Sequence, residues 1–197
     1  MIKKIIVFVV IALLFIAGFY LFLNKEQQTS ISDLEIIKQN HPELSKYIDD
    51  AVKWREKLKE DENNIEMYNT LGLAWKSLAD WGRNSKLENY QDYYAEALKV
   101  YEAGIEKTLR KNTLLMTNAG NMAKYLEDYE LAEDYYKEAI TVSPGEVTYY
   151  ALLAELYEYE MKKTKEEVAA VYDEGMKRVL DVGFLEKRKD AYLNRTK

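Results

Sequence analysis

Few residues in this chain could do covalent or metal chemistry. The one histidine, His41, stands in Asn40-His41-Pro42, a sequence that interrupts a helix. No cysteine is present, so a zinc site or a catalytic triad would have to be built around His41 alone. The adjacent carboxylates Glu133/Asp134 and Glu166/Glu167 fall at surface positions of helices. Solvation or pairing with nearby lysines is their expected use. No glycine-rich phosphate loop follows a strand. The sequence therefore predicts a protein that is not an enzyme, with no catalytic residues, no metal and no cofactor.

What remains is a chain built to pack and to bind. It has 197 residues, of which 48% are hydrophobic and 31% charged, enough apolar surface for a core in one domain plus an appendage. Two prolines and eight glycines are too few for a turn-dense β fold, and they favour long helices. A net charge of −6 argues against nucleic acid as a partner, since phosphate binding needs a basic surface.

The N-terminus predicts a membrane anchor. Residues Ile5 to Leu23 form 19 uncharged apolar positions. As a helix they would span roughly 28 Å, close to the hydrocarbon thickness of a bilayer. Lys3 and Lys4 precede the run, and no small-x-small cleavage site ends it. The expectation is a single-pass protein anchored through residues 5–23, N-terminus cytoplasmic and the remaining domain extracytoplasmic. Domain limits follow: an anchor at 1–23, a juxtamembrane linker at 24–31, and a helical domain at 32–197.

Apolar residues in the helical domain recur at three- and four-residue steps, so every segment reads as an amphipathic helix. Ser32-Asp33-Leu34-Glu35 fits a capping box that opens the first. Pro42 suits the first residue of a helix over 43–60. Helices are expected at 65–79, 88–111, 146–162 and 165–180, with a loop or extended turn at 80–86. Residues 113–146 form a helix pair closed by Ser143-Pro144-Gly145. The pairs repeat. Leu71-Gly72-x2-Trp75, Ala119-Gly120-x2-Ala123 and Leu153-Ala154-x2-Tyr157 share one spacing. Ala97-x3-Tyr101-x2-Gly104, Ala132-x3-Tyr136-x2-Ala139 and Val168-x3-Tyr172-x2-Gly175 share another. The period is about 34 residues, with extra residues at 79–92 and near 160–165.

This pattern resembles the tetratricopeptide repeat (TPR) family, whose repeats carry W-x2-LG-x2-Y, then A-x3-F, then proline. The resemblance covers about 43–182. Residues 113–146 match it without a gap, including Pro144; residues 65–111 and 147–180 lack the closing proline. The fold class implied is all-α: the N-terminal transmembrane helix, then a short right-handed α-solenoid of helix-turn-helix repeats. Helices at 32–60 and 184–195 would cap the array, because no repeat can bury its apolar face alone.

In TPR arrays the first helices of successive repeats line the concave side. That register makes Asn69, Lys76, Asn118, Asn121, Lys124, Tyr125, Glu155 and Tyr159 the candidate peptide-binding groove. The carboxylate clamp of some TPR proteins is not supported: Asn118 fits one position, but Asn69, Leu73, Thr148 and Leu152 depart from the others. The resemblance implies a membrane-anchored TPR scaffold that binds a protein or peptide at an envelope surface, in secretion, pilus or envelope assembly. The alternative is a structural, self-associating membrane protein, a homo-oligomer with no groove function.

Overall fold

Helix hairpins stacked side by side make up the protein. The computed structural model describes residues 29–195. Nine α-helices occur among them: α1 (Ile31–Asn40), α2 (Ser45–Glu60), α3 (Ile65–Asn84), α4 (Tyr90–Lys107), α5 (Thr113–Tyr125), α6 (Tyr129–Val142), α7 (Val147–Glu155), α8 (Lys165–Met176) and α9 (Gly183–Arg195). A 3-10 turn at Pro42–Leu44 joins α1 to α2, and α7 runs on into a π-helical turn at Leu156–Glu160. Hairpins α3–α4, α5–α6 and α7–α8 are the successive repeats, and α9 packs on the last.

The repeated small residues are the joints of the stack. A Cβ on Gly120 of α5 would come within 2.6 Å of the ring of Tyr136 on α6, and Gly72 of α3 faces Tyr101 of α4 in the same way. Each glycine lets the first helix close onto a fully buried tyrosine of the second. The second helices use a further small residue to receive the next repeat. Gly104 of α4 lies against Tyr68 and against Leu115 of α5; Gly175 of α8 lies against Tyr150 and against Leu185 of α9.

Local chemistry starts and turns the helices. Asn112 accepts from the Leu115 amide (3.1 Å) and Asp128 from the Leu131 amide (3.1 Å), capping α5 and α6. Thr164 and Glu167 form a capping box on α8. The turn inside each hairpin holds one left-handed residue, Lys86, Glu127 or Lys162.

Several expectations change. The first helix begins one residue earlier than Ser32, and its cap is Ser30, whose hydroxyl accepts from the Asp33 amide at 3.1 Å. Residues 80–84 are not a loop but the last turn of α3. Gly82 seats that turn against Tyr90 and Leu87, and Trp81 stacks on Tyr47 with ring centroids 5.4 Å apart. The extra residues at 79–92 thus lengthen the first hairpin. Those near 160–165 are absorbed by the π turn, where the Met161 amide donates to the Leu156 carbonyl (3.0 Å).

The membrane-anchored fold and the single-pass localisation are corrected. Among the described residues no helix is long and apolar enough to cross a membrane. The longest, α3, has 20 residues but carries Glu66, Lys76, Asp80 and Arg83 and buries one face in the core. Residues 5–23, on which that expectation rested, lie outside the described residues, as does most of the 24–31 linker. The architecture is an all-helical array, and the extracytoplasmic placement of the domain falls with the anchor.

Candidate protein-interaction face

The first helices α3 and α5 meet on one face, and α7 follows as the first helix of the next repeat. The polar residues of that face are partly engaged with one another. Asn118 Nδ2 donates to Asn69 Oδ1 at 2.9 Å, linking α5 to α3. Asn121 Oδ1 accepts from the Tyr136 hydroxyl at 2.8 Å, tying α5 to the second helix of its own repeat. Each amide keeps further donors or acceptors for a ligand, but both are first of all positioned by the array.

Around Tyr125 the face gathers aromatic and cationic side chains. Its half-buried ring stacks on Tyr94 of α4 (centroids 4.9 Å apart, planes 29° apart). Two ammonium groups flank it, Lys76 at 5.6 Å and Lys124 at 5.8 Å from the ring centre. Lys76 is held by Asp80 Oδ2 at 2.6 Å, and Asp80 Oδ1 accepts from the Tyr94 hydroxyl at 2.6 Å. Burial pushes the Tyr94 phenol well above its usual range, and the bond to Asp80 reinforces that. Lys124 has no carboxylate partner among the described residues. The cluster is a rigid aromatic platform with one uncommitted positive charge.

At the C-terminal part of the face α9 supplies ion-pair partners, while Tyr159 remains 47% exposed. Glu155 pairs with Arg188 of α9, and Arg188 also lies 5.0 Å from the Phe184 ring. Glu158 pairs with Arg195 at 2.8 Å, and that guanidinium lies 5.9 Å from the Tyr159 ring. So of the eight candidates, Asn69, Lys76, Asn118, Asn121, Lys124 and Tyr125 lie on the face where α3 meets α5. Glu155 is paired with α9 instead, and Tyr159 lies beside Arg195 of α9 while staying exposed. Sequence reasoning missed Asp80, Tyr94, Arg188 and Arg195. Only Asp80 left a local signal, four residues after Lys76 on one helix.

Three of the residues first considered for chemistry have partners within the fold. His41 Nδ1 lies 3.3 Å from Glu43 Oε1 beside the 3-10 turn. Glu133 pairs with Lys137 and accepts from the Tyr157 hydroxyl at 2.6 Å; Glu167 accepts from the Thr164 amide at 2.8 Å. No cluster of three or more metal-ligating side chains occurs among the described residues.

No family model matches the sequence, and no curated protein matches it. Solved structures do match in fold. A thermophilic TPR protein of Thermus thermophilus, TTC0263, superposes with a TM-score of 0.61 at 18% identity, over 86% of this chain and 84% of its own. A MamA fragment from Desulfovibrio magneticus gives 0.52 at 17% identity, over 83% and 88% of the two chains. A crystal structure of MamA gives 0.51 at 14% identity, over 84% and 90%. At these identities the likeness establishes architecture: this chain has a TPR-like fold.

Proposed function

We propose that the protein is a binding scaffold, not an enzyme, and that it holds a protein segment against the α3–α5 part of its first-helix face. The observation that carries this reading is the Tyr125 platform. A half-buried ring stands between two ammonium groups, one without a carboxylate partner among the described residues. Such a site suits a segment that sets an apolar side chain on Tyr125 and a carboxylate on Lys124. Asn69, Asn118 and Asn121 then offer spare amide groups to the segment's backbone.

The test is to select peptides from a random library against the full chain and measure their affinities by fluorescence anisotropy. Replacing Lys124 and Tyr125 together by alanine should weaken the selected peptides by about tenfold or more, the loss of roughly 1.4 kcal/mol. Unchanged affinity in the double variant would sink this reading.

A further inference from the structure

The two ends of the array are finished differently. At the C-terminal end, α9 buries Leu185 and Tyr192 and turns Glu186, Lys187 and Asp190 to solvent. That is a capping surface. At the N-terminal end, α2 occupies the place of a second helix but has no first helix of its own among the described residues. The preceding α1 does not supply one. It lies over α2 and α4, where Lys38 pairs with Asp49 at 2.5 Å and Asp33 and Ile37 line a cavity with Asp92 and Glu96. The residue pair before it is stapled there too: Arg55 donates to the Thr29 carbonyl (3.0 Å), and the Thr29 amide donates to Glu96 (3.3 Å).

Register shows what is missing. Tyr136 stands eleven residues before the start of α7, and Trp54 eleven before the start of α3. Tyr136 is fully buried beneath Gly120 of its first helix, whereas Trp54 stays partly exposed. On the neighbouring helix, Asn118 and Met122 are the sixth and tenth residues of α5; Asn118 bonds to α3, and Met122 is buried. The sixth and tenth residues of α3, Thr70 and Ala74, instead line a cavity of about 300 Å³ together with Tyr47, Trp54, Leu73 and Ser77. Leu73 is 43% exposed.

We propose that this α2–α3 cavity docks an amphipathic helix of a partner protein, which takes the first-helix place that no described residue fills and completes the half-repeat. The register asks for a small residue over Trp54, as Gly120 lies over Tyr136. The rim sets the partner's charge. Lys46 lines the cavity, and Lys53 and Lys57 stand 5.3 and 4.6 Å from the Trp54 ring, none with a carboxylate partner among the described residues. Asp50 is the single acid in the lining. The docking helix therefore carries glutamates or aspartates along its flanks.

The inference concerns a different surface from the Tyr125 platform, and its test keeps the two apart. The probe is a stapled helical peptide of about 18 residues, since short isolated helices are marginal in water. It has leucines and an alanine–glycine pair on one face and glutamates at the flanks; a counterpart has lysines at the flanks. Binding to the full chain is read by anisotropy and by photocross-linking from benzoylphenylalanine at position 77. The glutamate peptide should bind about tenfold or more tightly than its counterpart, with the advantage shrinking as salt is raised. Trp54→Ala and Leu73→Glu should each weaken it about tenfold, while replacing Lys124 and Tyr125 by alanine leaves it within about twofold. Circular dichroism checks that each variant keeps its helices. Equal binding of the two peptides, or no loss with Leu73→Glu and Trp54→Ala, overturns the proposal. So does cross-linking from position 77 to a second copy or to residues 1–28 of the same chain.

Discussion

Tyr125 and Tyr159 are each the thirteenth residue counted from the start of their first helices, α5 and α7, yet they meet different surroundings. Tyr125 rests on Tyr94 and faces Lys76 and Lys124. Tyr159, the more exposed of the two, lies 5.9 Å from the Arg195 guanidinium of α9. The preceding residues diverge in the same sense. Lys124 has no carboxylate partner among the described residues, whereas Glu158 at the same register is paired with Arg195. One scaffold position thus serves two purposes. Near the middle of the array it belongs to the proposed peptide site; near the end its neighbour Glu158 fastens α9. A register argument identifies the positions of a repeat protein, and the neighbouring helix decides what each one does.

The largest expected effect tests whether both halves share one cooperative framework. Burial holds the phenols of Tyr93, Tyr101, Tyr136 and Tyr172 above their usual range, Tyr93 at about 12. The folded chain therefore keeps these protons at pH values where the unfolded chain releases them. Their contribution to stability is complete below pH about 10 and is lost as pH rises through the folded values. Alkaline titration followed by circular dichroism should show the chain unfolding in one transition above pH about 10. Two separated transitions would mean that the halves are independent.

Next come the joints. Gly72→Ala and Gly120→Ala each push a Cβ into a buried tyrosine ring. Overpacking outweighs the better helix propensity of alanine, so each should cost about 1–2 kcal/mol in urea unfolding. Gly145, with nothing within 4 Å of its would-be Cβ, should tolerate alanine within about 0.5 kcal/mol. A large difference between the two joint variants would break the equivalence of the halves.

The ion pairs of the cap should matter least for stability. Arg188→Ala and Arg195→Ala remove partly exposed partners, and each should cost less than about 1 kcal/mol. With both changed, Glu155 and Glu158 lose their cationic partners. Peptides selected on the parent chain should nevertheless keep their affinity within about twofold, because their site lies on the other half. A large gain in affinity would place the site beneath α9.

The repeats were legible because their contacts are short in sequence and regular in type. Gly72 and Tyr101, or Gly120 and Tyr136, meet within a single hairpin, so the spacing of small and aromatic residues carries the geometry. The end of α3 was not legible. Asp80-Trp81-Gly82-Arg83-Asn84 has the composition of a turn, and the contact of Trp81 with Tyr47 that accompanies its helical form comes from a different part of the chain. The candidate face was legible as a set of positions but not as a site. Arg188 lies 33 residues after Glu155, Arg195 37 after Glu158, and Asn118 49 after Asn69. No periodicity in the sequence reports such pairs. The anchor expected at residues 5–23 rested on apolar length, flanking lysines and the lack of a cleavage site, and no described helix is long and apolar enough to cross a membrane.

The difference between Tyr125 and Tyr159 is tested most directly by locating a bound peptide. A library-selected peptide carrying a photoreactive side chain would be cross-linked to the full chain and the modified residues read by mass spectrometry. The account predicts adducts at Lys76, Lys124 or Tyr125, with Glu155, Glu158 and Tyr159 unmodified. Adducts centred on Glu155–Tyr159 would contradict it, since they would place the peptide beside α9 and away from Tyr125.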